Sequence, residues 1–221
     1  MKTLSRFLVA AMLLATFSTA AFAAEWSTTS TVEIGSGVRS AYPGIEPSGL
    51  AWHSERNQLL GVGDGGQVFA MNTDGSNVTL WNVGGDLEDV TVADATSDYV
   101  YLADENGYIK KFNMATGSVV QTWDIKTWMP EVSCGNGSTC GMEGLTYANG
   151  YFYAGYQLNG KIFVFDLSGS TAQKVNEFAA VRSWLGALHY RDGYLYALYG
   201  STMSILDMSG NEMTRYTVPG S

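Results

Sequence analysis

Positive charge is scarce in this 221-residue sequence: Lys and Arg number 12 against 21 Asp and Glu, for a formal net charge of −9. No basic cluster is longer than Lys110-Lys111. So few cations cannot neutralise a run of phosphates, which excludes nucleic acid and points away from anionic membranes. Cations and neutral ligands suit the chain better.

Cysteine and histidine are also sparse. Cys134 and Cys140 bracket five small or turn-forming residues, a spacing unlike the CxxC of a zinc or redox pair. They are expected to form a local disulfide that pins an insertion, worth about 2 kcal/mol by loop entropy. Histidine is limited to His53 and His189, and neither GxSxG nor HExxH occurs. Two familiar hydrolase designs are thereby excluded.

Long apolar runs are missing after the first 23 residues. MKTLSRFLVAAMLLATFSTAAFA has a basic head with Lys2 and Arg6, an apolar centre from Phe7 to Phe17, and Ala21-Phe22-Ala23 as a small-x-small cleavage site. This reads as a secretory signal peptide over 1–23, leaving 24–221 as the folded domain. The apolar centre falls short of the roughly 20 residues a membrane helix needs, so no span is expected in the mature chain. Export to the periplasm or the extracellular space follows, an oxidising setting that suits a disulfide.

Glycine (26) and tyrosine (13) are abundant, as in turn-rich sheet. Four segments share one grammar, beginning at Pro47, Leu87, Met142 and Leu185. Each has a short alternating strand, a polar turn, a second strand, a Gly-containing turn, a third strand and a turn ending in Gly75, Gly117, Gly169 or Gly210. A more polar fourth strand follows. The first apolar anchors are Leu50, Val90, Leu145 and Leu188, and only the second interval, which holds the cysteine loop, is markedly long. Four strands in about 40 residues is the period of a β-propeller blade. The expected fold is all-β: four antiparallel four-stranded blades, either closed with help from a strand near Thr31 to Ile34 or part of a five- or six-bladed ring.

The motifs EPSGLAW…LLGVGDGG, DLEDVTV…VYLADENGYIKKF and GMEGLTY, in that order, resemble the SdiA-regulated family of exported bacterial β-propellers and the related phytase-like esterase domains. The resemblance covers the chain from about Glu46. It departs at the fourth blade, where Gly186 stands in place of Glu88 and Glu143, and at the C-terminus, where the family pattern continues with another EGI-type motif. It implies leading loops of the innermost strands gathered round a central channel, with calcium as a cofactor there.

Individual residues carry that expectation unequally. Glu88 and Glu143 match the leading acid of their blades, Glu46 and Asp86 lie two residues earlier, and Asp64 and Asp104 fall at the end of the second strand, with Glu105 beside the latter. Calcium takes six to eight oxygens, and strands converging on one axis can supply them from distant positions. Glu88, Glu143, Asp64 and Asp104 are the candidate metal ligands; Glu46, Asp86, Glu88, Glu143 and His189 are the candidate ligand-binding residues. The competing reading has each carboxylate accept backbone N–H bonds and stitch neighbouring blades. His53 is expected to be exposed, and His189 to lie on the face of its strand opposite Leu188 and Tyr190. The tyrosines of the last two segments suit inter-blade packing or a stacking surface.

Two functions remain open. One is an exported binding or scaffold propeller holding a small-molecule or protein ligand at its channel mouth, with calcium. The other is a calcium-dependent hydrolase of ester or phosphoester bonds, disfavoured by the scarcity of cations to grip an anionic substrate.

Overall fold

A computed structural model describes residues 34–135 and 137–218. The expected signal peptide, the start of the expected closing strand at 31–33, Asn136 and the last three residues lie outside them. The chain folds as a four-bladed β-propeller. Blade 1 contains β1 (Pro47–His53), β2 (Gln58–Gly63), β3 (Gln67–Met71) and β4 (Thr79–Asn82). Blade 2 contains β5 (Leu87–Thr91), β6 (Tyr99–Asp104), β7 (Tyr108–Asn113) and β8 (Ser118–Asp124). The Cys134–Cys140 disulfide then closes a small hairpin of β9 (Val132–Gly135) and β10 (Ser138–Cys140). Blade 3 contains β11 (Met142–Ala148), β12 (Tyr151–Tyr156), β13 (Ile162–Asp166) and β14 (Gln173–Phe178). Blade 4 contains β15 (Leu185–Arg191), β16 (Tyr194–Tyr199), β17 (Thr202–Leu206) and β18 (Glu212–Thr217). Each blade is an antiparallel meander in chain order.

Local sequence dictates this pattern. Asn149-Gly150 and Asp192-Gly193 have positive φ at both positions, 52° and 88°, then 51° and 87°. They form the two-residue mirror-image turns whose twist matches that of the flanking strands. Strands β12 and β16 are thereby set directly against β11 and β15.

Large side chains fill the gaps between blades. Leu60, Val62, Leu102 and Phe112 join blades 1 and 2, while Ile109, Trp123, Leu145 and Phe165 join blades 2 and 3. Tyr153, Ile162, Leu188 and Leu195 join blades 3 and 4. The tyrosines belong largely to this packing: Tyr153 lies against Phe178, and Tyr147 and Tyr101 both meet Phe152.

A six-residue helix, α1 (Ser36–Ala41), was not legible in a sequence too short there to show a helical period. Its Val38, with Ile45, packs on Phe69 and Met71 and covers the free face of blade 1. Innermost strands touch extensively between blades 1 and 2, 2 and 3, and 3 and 4, but not comparably between 4 and 1. Leu50 and Trp52 on β1 therefore remain 49% and 43% exposed. No helix among the described residues is long and apolar enough to cross a membrane.

Candidate cation site at the propeller rim

The same irregularity marks the start of every innermost strand. Register slips by one residue between Pro47 and Leu50, Leu87 and Asp89, Met142 and Gly144, and Leu185 and Ala187. The extra residue of a bulge leaves the ladder and its side chain is re-aimed. Glu88, Glu143 and Gly186 occupy that extra position in blades 2, 3 and 4, and Ser48 lies within the slip of blade 1. The rim therefore has acids in two adjacent blades, a hydroxyl in the first and no side chain in the last.

A second tier lies just past the second strands. The backbone N–H groups of Asp64, Glu105, Gln157 and Gly200 donate to the carbonyls of Glu46, Asp86, Gly141 and Trp184, at 3.3, 2.8, 3.0 and 3.2 Å. This repeated bond makes the four positions equivalent. Glu105, rather than Asp104, is thus the counterpart of Asp64. Asp104 turns aside: its carboxylate pairs with Lys110 at 2.6 Å and accepts from the Asn106 backbone and amide at 3.1 and 3.0 Å.

Asp86, Glu88 and Glu105 converge, each offering one carboxylate oxygen within 4.8 Å of the others. Ser48 donates to Glu88 at 2.6 Å, and Thr139 of the disulfide hairpin donates to Glu105 at 3.0 Å. Glu105 is 5% exposed. Glu143 makes no hydrogen bond or ion pair with any described residue. Burial pushes Glu143 up to about 8, reinforced by repulsion from Glu88, Glu105, Asp64 and Asp86. Burial likewise raises Glu88 to about 7, against the Ser48 hydrogen bond and with help from Asp64, Asp86 and Glu105. Asp86 and Glu105 are also raised, chiefly by burial. Among the described residues, no Lys or Arg pairs with Asp64, Asp86, Glu88, Glu105 or Glu143. The rim is therefore a cluster of hard oxygen donors whose carboxyls resist ionising together unless a cation offsets their charge.

Gln157 holds the second-tier position of blade 3. Its Oε1 is shut away from solvent and accepts no hydrogen bond. A buried amide oxygen without a donor is costly unless something occupies it.

The blade-stitching role belongs to a residue the sequence did not single out. Asp89 is buried and accepts from the backbone N–H of Val90 at 2.8 Å and of Leu145 in the next blade at 2.7 Å. Burial pushes it up to about 8, against those two bonds. Thr146 does the equivalent work between blades 3 and 4, accepting from Tyr190 N–H at 2.9 Å. Its position next to a bulge is the signal that could have found Asp89, since the slip reverses which residues of β5 face the next blade.

The remaining expectations divide. Glu46 is exposed and matches Asp86 by its backbone bond to Asp64. His189 lies on the exposed face of β15, opposite buried Leu188, and is not gathered with the acids. His53 is 1% exposed rather than open to solvent, with the Ser97 backbone and Arg56 beside its ring.

The fold and site together define a β-propeller with an acidic rim. Chaetomium thermophilum Raptor matches it at 15% identity and a TM-score of 0.54, over 76% of this chain and 16% of that one. Kuenenia stuttgartiensis hydrazine synthase matches at 12% identity and 0.55, over 79% of this chain and 49% of that one. At these identities the likeness is one of fold, and the chain spans about a sixth and about half of those proteins. No protein-family model and no curated protein matches the sequence.

Proposed function

We propose that this protein is an exported β-propeller that binds calcium at its acidic rim and uses that site to hold a small-molecule or protein ligand. The observation that carries the reading is the convergence of Asp86, Glu88 and Glu105 with no cationic partner. The unpartnered Gln157 oxygen, at the equivalent backbone position of blade 3, is a donor of the same hard class. Carboxylates, hydroxyls and amide oxygens suit a hard divalent ion, whereas a copper or zinc site would draw on thiolate or imidazole. The motif resemblance to SdiA-regulated propellers points the same way. Export rests on the N-terminal segment and suits the disulfide.

Binding is favoured over ester hydrolysis because the cations that would grip an anionic substrate are engaged elsewhere. Lys110 is held by Asp104 and Arg182 by Glu212 and Ser204, while Arg191 makes an exposed pair with its neighbour Asp192. The test is a thermal melt after chelation. Calcium at about 100 times its dissociation constant should add about 2.7 kcal/mol and raise the midpoint; an unmoved midpoint at millimolar calcium removes the reading.

A further inference from the structure

Among the described residues, one side-chain hydrogen bond ties the disulfide hairpin to the rim. Thr139, on β10, donates its hydroxyl proton to Glu105 Oε2 at 3.0 Å. The next residue, Cys140, is fully buried and bonded to Cys134, and Gly141 lies so close to Glu105 that a Cβ there would collide with the Glu105 carbonyl. Gly141 is in turn fixed by accepting from Gln157 N–H at 3.0 Å. The insertion is anchored on its other side where Tyr156 donates to the Pro130 carbonyl at 2.7 Å. Its short hairpin buries little apolar surface of its own, so its shape depends on the covalent link.

We infer that Thr139 is a positioning residue for the cation site: it orients the Glu105 carboxylate, and the Cys134–Cys140 bridge holds Thr139 in place, so that reducing the bridge weakens cation binding. The inference rests on the cation reading above. A ligating carboxylate has more than one rotamer, and an outer hydrogen bond that selects the productive one lowers the ordering cost on binding. Serine keeps the donor and valine keeps the shape without it. Reduction is thiol–disulfide exchange: a dithiothreitol thiolate attacks one sulfur of the bridge, and its second thiol then closes to a cyclic disulfide. Both cysteines leave as protonated thiols, and the two electrons come from dithiothreitol.

The experiment is calorimetric titration of calcium into the full mature chain, freed of metal with a chelator, as wild type, Thr139→Val, Thr139→Ser, Cys134→Ser/Cys140→Ser and the combined Thr139→Val triple variant. Thr139→Val should lose about tenfold in affinity. Thr139→Ser should restore it, the cysteine pair should lose a similar factor, and the triple variant should be no weaker than Thr139→Val alone. Dithiothreitol should lower wild-type affinity and leave the cysteine-free variant unchanged. Near-ultraviolet circular dichroism checks each fold, and the Ser variant remains informative if Val misfolds. Wild-type binding with unchanged Thr139→Val affinity, or additive losses in the triple variant, overturns this inference alone. Absence of calcium binding by the wild type overturns the cation reading and this inference together.

Discussion

Replacing Glu143 by Gln distinguishes a cation ligand from a structural tie, because the two roles predict stability changes of opposite sign. Burial, reinforced by repulsion from Glu88, Glu105, Asp64 and Asp86, pushes the folded-state Glu143 up to about 8. An unfolded glutamate titrates near 4.5. Between those values the folded state binds more protons than the unfolded one, so this group's contribution is fully present below about pH 4.5 and is lost as pH rises through about 8. The undiscounted linkage for such a shift is about 5 kcal/mol, and solvent screening at a partly exposed rim reduces it to about 2 kcal/mol. Gln keeps the shape and removes the charge. Chelated Glu143→Gln should therefore match wild type at pH 4.5 and melt about 5 °C higher at pH 8.5, given about 2–4 °C per kcal/mol for a domain of this size. It should also lose the calcium-induced rise. The assay is differential scanning calorimetry in chelator from pH 4.5 to 9, repeated with calcium. A variant less stable than wild type at every pH, or a difference independent of pH, would refute the electrostatic argument.

Other positions give sharp contrasts. Asp89→Ala leaves the Val90 and Leu145 N–H groups without their acceptor and should cost about 2–3 kcal/mol in urea denaturation, whatever the calcium concentration. Gly144→Ala should cost about 1–3 kcal/mol, because a Cβ there meets Leu188 Cβ and backbone nitrogen at 2.8 Å. Gly186→Ala, at the bulge position of blade 4 with open space around it, should change stability by less than about 0.5 kcal/mol. His53 is buried, and its pKa is lowered, first by burial and then by Arg56. The unfolded state then binds more protons, so stability falls as pH drops below about 6.5, and His53→Phe should remove that loss in melts between pH 5 and 7.

The blades were legible because each repeats the same polar turns and apolar anchors, and Leu50, Val90, Leu145 and Leu188 all fall on innermost strands. Glu88 and Glu143 were legible as equivalents for the same reason. Facing was harder to read. A bulge of one residue reverses the parity of a strand, so Glu88 turns to the rim while adjacent Asp89 is buried between blades. The same sensitivity separates Glu105 from Asp104: one backbone bond to Asp86 places the former at the rim, and Lys110 draws the latter away. Thr139 could not be foreseen, since its contact with Glu105 spans 34 positions and depends on how the cysteine hairpin leans on blade 2.

If the rim acids share one cation, equilibrium dialysis of radioactive calcium should detect it. Chelated wild type at pH 7.5 should bind calcium saturably with one ion per chain, and Glu88→Gln, which removes a converging oxygen while sparing the blade cores, should weaken binding by at least about tenfold. Retention no greater than that of a non-binding control protein, or equal binding by wild type and Glu88→Gln, would contradict a shared cation.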